Sequence, residues 1–330
     1  MFVLLFMWLA VCDQAKASVC RLPDGTKQRC DREFSGFCYA MLDGALPGCN
    51  RMVGIGDSLV DDGVQADMRP PYGVTKSSNG HTWPYYLHKM CGCAHLVNMA
   101  HSGALSGQGG VYGLDWSGTA WQVDRYIEDV NGTAPAGDVV VAHAGGSNDA
   151  MLALENAMKR NRTLLEFLKG AATLIGNIVS SNEQNLRKLL EAGVKKIIFV
   201  GVFEPGSHSP YLIYYQHHVE TAVKLLNARL SKMVKQVNVN FSGEPILFVP
   251  TANVWKAMKD RFADVHSDVK SLFLAGNLTF ENDLVWSDSV HPTTAVHKLL
   301  AGLVYEFWNR HQPFNKITDH STLKPNRKLL

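Results

Sequence analysis

Five short apolar runs decide what this chain can become: residues 52–56, 95–100, 138–144, 195–202 and 245–250. Most are rich in Val and Ile and lack polar–apolar alternation, the pattern of strands covered on both faces. Segments with helical period separate them, over 82–90, 119–130, 163–192 and 219–237, and a last one runs over 292–310 with Pro292 in its first turn. In the third of these, Leu164, Leu165, Leu168, Ala171, Ala172, Ile175, Ile178 and Val179 recur at helical spacing, with a break expected near Gly176. Strands alternating with helices pair in parallel through right-handed crossovers. The pattern therefore predicts a three-layer α/β/α sandwich around a central parallel sheet of about five strands.

The chain opens on an apolar run from Met1 to Val11 that is too short to span a bilayer as a helix. Ala15-Lys16-Ala17 then supplies a small-x-small pattern, so residues 1–17 are expected to be a secretory signal peptide cut after Ala17. No later segment has enough unbroken apolar residues for a membrane span. The expected location is outside the cell or in the secretory lumen. The rest suits one large α/β domain over 51–311, with a Cys-rich extension over 18–50 and a polar, basic tail over 312–330.

Cysteine usage points the same way. Of seven cysteines, Cys12 falls in the signal segment and Cys20, Cys30, Cys38, Cys49, Cys91 and Cys93 remain. An even set in a secreted chain favours disulfides, with the pairing left open. Cys20, Cys30, Cys38 and Cys49 are expected to staple an extension too short to hold a core. Cys91-Gly92-Cys93 is expected to bridge rather than bind metal, since no second Cys pair or close His pair completes a metal site. Asn131-Gly132-Thr133, Asn161-Arg162-Thr163, Asn240-Phe241-Ser242 and Asn277-Leu278-Thr279 are glycosylation sequons, meaningful in such a protein. The formal net charge is +2 with both signs interspersed, which leaves no electrostatic footprint for nucleic acid.

Chemistry-bearing residues gather at the ends of the apolar runs, where open α/β sheets bind ligands. The first run breaks at Gly56-Asp57-Ser58-Leu59, with Asp61 and Gly63 following; the second ends Asn98-Met99-Ala100-His101-Ser102-Gly103. The third ends Gly145-Gly146-Ser147-Asn148-Asp149, and Asp288-Ser289-Val290-His291-Pro292 precedes the last helix. Acyl transfer by serine needs a base for the hydroxyl proton, a carboxylate to orient that base, and donors for the oxyanion. Asp288 can meet Nδ1 of His291 while Nε2 faces Ser58. Gly103 offers a backbone N–H and Asn148 an amide. Singly, each has a plainer use: Gly103 in a turn, Asn148 and Asp288 as helix caps, His291 on the surface. Together, in one order and at strand ends, they point to a site.

These blocks resemble the GDSL esterases/lipases of the SGNH hydrolase superfamily. Gly56-Asp57-Ser58-Leu59 with Asp61 and Gly63 matches the nucleophile block, and Asn98, Ala100 and Gly103 match the glycine block. Gly146-Ser147-Asn148-Asp149 matches the G-x-N-D block and Asp288 to Pro292 the D-x-x-H block. The stretch from Trp286 to Leu300, with Thr293, Thr294 and His297, resembles the large plant-lipase-like branch, as does the helical insertion between Asn148 and Val194. The resemblance implies the flavodoxin-like SGNH hydrolase fold, with Ser58 as nucleophile, His291 as base, Asp288 as orienting acid, and Ser58, Gly103 and Asn148 as the oxyanion hole. It implies no cofactor and no metal. The implied substrate is a small-molecule or lipid ester, with transient contact to a lipid surface left open. His101 departs from the family pattern, where a small residue stands, and could line the cleft.

Other residues carry less. His143 ends an apolar strand and reads as a core or supporting histidine. His217 and His218 diverge on a helix, which argues against a metal site. Asp57 and Asp61 read as loop-closing acids. Trp83, Tyr85, Tyr112 and Trp116 are expected on the cleft side, leaning towards acyl chains. The reading is therefore a secreted serine hydrolase of carboxylic esters. Acyl transfer to an alcohol, sugar-acetate hydrolysis and a non-catalytic binding protein keeping the fold are the alternatives.

Overall fold

The computed structural model describes strands at 11–12, 19–21, 27–30 and 38–41, and then residues 49–63, 77–113, 115–159, 164–203, 216–241, 246–251, 254, 264–268, 284–286 and 291–311. The first four strands, β1 (Val11–Cys12), β2 (Val19–Arg21), β3 (Lys27–Cys30) and β4 (Cys38–Met41), form an antiparallel sheet in sequential order. The sheet that matters for function follows. β5 (Arg51–Ile55), β6 (His95–Asn98), β7 (Asp138–His143), β8 (Lys196–Val200) and β9 (Leu247–Val249) pair in the order β6-β5-β7-β8-β9, every neighbour parallel. That is the doubly wound order in which the direction of winding reverses between the first and third strands, here β5 and β7, and leaves a crevice at their carboxyl ends. A separate parallel pair joins β10 (Asp264–Asp268) to β11 (Leu284–Trp286).

Each central strand is buried on both faces, which is why the apolar runs lack alternation. Met52, Val139, Val141, Ile198 and Val200 point into one core with residues of α1 (Trp83–Cys91) and α6 (Thr294–His311). Val53, Ile55, Val140, Ala142, Ile197 and Phe199 point into the other, against α2 (Thr119–Asp129), α4 (Leu164–Glu191) and α5 (Gln216–Asn240). The three-layer expectation holds.

Local chemistry sets the ends of α1. Pro84 occupies its first turn, where a missing N–H costs nothing. Gly92 closes it in the left-handed conformation, φ 66°, donating its N–H to Lys89 O. Helix α4 does not break at Gly176. It runs unbroken for 28 residues, and a Cβ at Gly176 would meet nothing within 4 Å, so that glycine faces open space and bends no packing. Helix α3 (Ser147–Lys159) is the element whose bounds the periodicity did not yield. It is built from the strong helix formers Ala, Leu, Met and Glu rather than a clean apolar stripe.

The cysteine expectation needs correcting in two places. Cys49 does not staple the extension to itself: it bridges Cys93, Cα–Cα 5.1 Å, tying the approach to β5 to the turn before β6. Cys91 is a free thiol, buried in the last turn of α1, and burial pushes its pKa up to about 12, so it packs as a small apolar group. The side chains of Cys20, Cys30 and Cys38 lie outside the described residues, as do the tail from Gln312 and the sequons at Asn161 and Asn277. The Cys49–Cys93 bridge closes a loop of sequence separation 44. Replacing both cysteines by alanine is expected to lower the unfolding free energy by about 2–4 kcal/mol, read from the urea midpoint.

Candidate active site

Strand β5 ends at Ile55, and the next residues turn at once. A Cβ at Gly56 would lie 2.7 Å from Val60 Cγ2 and 3.1 Å from His143 Cβ, so only glycine lets the turn close against β7. The Gly56 peptide leaves the sheet yet stays bonded: its N–H donates to Gln122 Oε1 and its carbonyl accepts from Gln122 Nε2, both at 2.8 Å. Gln122 is fully buried on α2 and also donates to Ser117 O. No pattern in the sequence marked this glutamine.

Asp57 then organises the turn. Its carbonyl accepts from the N–H groups of Val60 and Asp61, each at 2.9 Å, and its Oδ1 accepts from Leu59 N at 3.0 Å. Asp61 reaches outward. Its Oδ1 accepts from Gly63 N, and its Oδ2 accepts from both the N–H and the hydroxyl of Ser102 at 2.9 Å. Both acids close loops, as their positions suggested. Asp62 adds a further tie, with Oδ2 2.7 Å from His81 Nδ1 and Oδ1 accepting from Thr82 N.

The second loop carries Gly103. Asn98 ends β6, donating to Val60 O and accepting from Ala100 N, which bends the chain towards Ser102. Gly103 has φ +80°, a conformation that strains any side chain, and a Cβ there would also lie 2.8 Å from Val111 Cγ2 and 2.9 Å from Tyr112 Cε2. Tyr112 therefore rests on Gly103 while remaining 61% exposed. Asn148 sits in the first turn of α3 and donates its amide to Ala104 O at 2.9 Å, so it does not act as a simple cap. Asp149 beside it accepts from the N–H and hydroxyl of Ser106. Burial raises its carboxyl pKa against the lowering effect of those bonds.

His291 precedes α6, and its Nε2 lies 2.9 Å from Ser58 Oγ. With the ring proton on Nδ1, Nε2 accepts the serine proton, the contact a general base needs. Asp288 lies outside the described residues. Ser58 and His291 thus meet beyond the carboxyl end of β5, while Gly103 and Asn148 follow the carboxyl ends of the neighbouring strands β6 and β7. His101 is buried at 7% exposure and stands edge-on to Trp116 and Trp121, so it belongs to an aromatic cluster rather than to an open wall. Trp83 is fully buried in the α1–α6 core, which corrects its expected place on the cleft; Tyr85 stacks on His81 at 3.7 Å. Among the described residues no cluster of His, Cys, Asp or Glu could hold a metal ion.

The blocks fall inside one continuous match, since residues 52–304 fit the model of the GDSL-like lipase/acylhydrolase family. The chain belongs to that family. As a GDSL hydrolase it is a serine esterase-type enzyme acting on esters. Similar solved structures include an acetylxylan esterase from Geobacillus stearothermophilus, 18% identical over 80% of this chain and 94% of that one, TM-score 0.44. Another is the acetyl xylan esterase AlAXEase, 12% identical over 79% and 100%, TM-score 0.42. A third is the lipase Lip_vut3 from a goat rumen metagenome, 16% identical over 79% and 96%, TM-score 0.41. No curated protein matches.

One further histidine of this GDSL hydrolase was not singled out for its own chemistry. His297 on α6 is 1% exposed, and burial, followed by the charges of His291 and His143 and opposed by Asp57, lowers its pKa to about 3. The unfolded chain binds this proton near the ordinary histidine value while the folded one does not. Stability from His297 is thus fully present above about pH 6.5 and falls as the pH drops towards 3, by at most about 1.4 kcal/mol per pH unit. The His297→Asn protein is expected to show a shallower loss of unfolding free energy between about pH 7 and pH 4 than the unsubstituted chain.

Proposed function

We propose that this chain is a secreted serine hydrolase that cleaves carboxylic acyl esters through an acyl-enzyme, with Ser58, His291 and Asp288 as its triad. The observation that carries the reading is the 2.9 Å approach of His291 Nε2 to Ser58 Oγ at the winding crevice. Ser58 Oγ attacks the ester carbonyl as its proton passes to His291. The oxyanion is met by the N–H groups of Ser58 and Gly103 and the amide of Asn148. His291 then protonates the departing alcohol, and water repeats the steps to release the acid. Asp288, three residues before His291, orients the imidazole.

An apolar acyl group is favoured as the part of the substrate beside Gly103, because the exposed ring of Tyr112 rests directly on that glycine. The motif Trp286 to Leu300, with Thr293, Thr294 and His297, favours the plant-lipase-like branch as the finer family reading. In the fold, Thr294 ties α6 to the 77–86 segment by accepting from the Tyr86 hydroxyl and donating to His81 O. Secretion is supported by the apolar start, Ala15-Lys16-Ala17, and the Cys49–Cys93 bridge, since such bridges persist in oxidising compartments. Asn131, exposed in the turn after α2, is the described sequon best placed to carry sugar.

A fluorophosphonate probe tests the chemistry, with labelling expected at Ser58 and nowhere else. A nitrophenyl ester series from acetate to laurate tests the acyl preference, with kcat/KM expected to rise beyond acetate. Strict preference for acetylated sugars would replace the acyl reading, and product transfer to an added alcohol would assign acyl transfer.

A further inference from the structure

Directly beneath the Ser58 turn lies a polar pair that the triad does not use. His143, the last residue of β7, is 2% exposed, and its Nδ1 lies 3.4 Å from Asp57 Oδ1, a carboxylate equally sealed from water. The contact is too long to count as a hydrogen bond, and neither ring nitrogen of His143 has another hydrogen-bond partner among the described residues. Its weight is therefore electrostatic, in a site where burial lowers the screening. Around Asp57 stand His143 from β7, His291 before α6, His297 on α6 and Asp149 on α3, each within electrostatic reach of it or of its neighbours.

We propose that His143 is a positioning residue for the ester chemistry, holding the Asp57 carboxylate in place so that Asp57 fixes the turn that carries Ser58 to His291. The inference rests on the hydrolase reading above and adds a second carboxylate–histidine pair behind the triad. The balance of effects on Asp57 supports it. Burial alone would raise its pKa, yet the charge and contact of His143, the Leu59 N–H and the charge of His291 bring it below the ordinary carboxylate value. The anion in turn favours the imidazolium that His291 becomes during each half-reaction. Stability contributed by this ionised carboxylate is present above the ordinary carboxylate range and lost as the pH falls through its depressed value.

A double-mutant cycle on the full chain tests this, with kcat/KM measured against pH on a nitrophenyl ester and folding checked by thermal melts. Asp57→Asn is expected to lower kcat by roughly ten- to a hundredfold and to move the acid limb to lower pH, because His291, in contact with the adjoining Ser58, loses a neighbouring anion. His143→Leu is expected to lower kcat comparably, yet to cost nothing further when added to Asp57→Asn. His143→Asn, which puts an amide N–H where Nδ1 stood, should recover most of the rate. Where the leucine variant does not fold, His143→Gln replaces it, since its amide sits one bond too far out. Losses that multiply in the double variant, or an unmoved acid limb in Asp57→Asn, would overturn the proposal and leave His143 a packing residue. A failure of the hydrolase reading looks different: the unsubstituted chain would then neither turn over the ester nor take the fluorophosphonate.

Discussion

Ser58→Ala is expected to lose ester turnover by about a millionfold, the scale seen when the nucleophile of a triad acting as a unit is removed. The fold should not notice. The turn around Ser58 is held by Asp57, through its carbonyl to Val60 and Asp61 and its carboxylate to Leu59, and none of those bonds uses the serine hydroxyl. The variant should therefore melt where the unsubstituted protein does and fail to react with fluorophosphonate. The residual rate over water, expected to be about a thousandfold, would come from the oxyanion donors and binding alone. Turnover within tenfold of the unsubstituted chain would remove Ser58 from the chemistry altogether.

The second large effect is expected at Asn148. Losing one oxyanion donor typically costs about a hundred- to a thousandfold in kcat, because the donor acts on charge present only in the transition state. Asn148→Ala should show that loss with KM little changed. The same amide donates to Ala104 O, so the substitution also removes one structural hydrogen bond. That bond is worth only about 1 kcal/mol of stability. A kcat reduced a hundredfold alongside a nearly normal urea midpoint would thus separate catalysis from scaffolding. A protein that loses stability and rate in proportion would show Asn148 to be a brace for the 101–110 loop.

The central sheet was legible because its strands are covered on both faces, and a short, Val-rich run without alternation, such as the one within Asp138–His143, reads as a buried strand. The candidate residues stood out in the sequence for a different reason: each lies next to an expected strand or helix end, and their types match what acyl transfer needs. Of these, the structure brings Ser58 and His291 into contact. What escaped was everything whose meaning depends on a distant partner. Gln122 is one polar residue on an amphipathic helix, and only the fold shows it bonding both ends of the Gly56 peptide. Cys49 looked like part of a local cluster, but its partner lies 44 residues away beside β6. Trp83 sat in a cleft-side segment by sequence order, yet the turn of α1 sends it into the core. His143 could be read as a supporting histidine, though not what it supports. Asp288 lies among residues outside the description, so its role rests on its spacing from His291.

The bonds from Asp61 to Ser102 have a consequence for how the rate is achieved. One carboxylate, three residues beyond Ser58, grips the residue next to Gly103, so the proposed attacking oxygen and a proposed oxyanion donor ride on a single frame. Thermal motion that displaces one carries the other along. The donor then keeps its bearing on the reacting carbonyl without being ordered by the substrate. Preorganisation of this kind spends its energy during folding, once, and leaves each catalytic cycle free of that entropy cost.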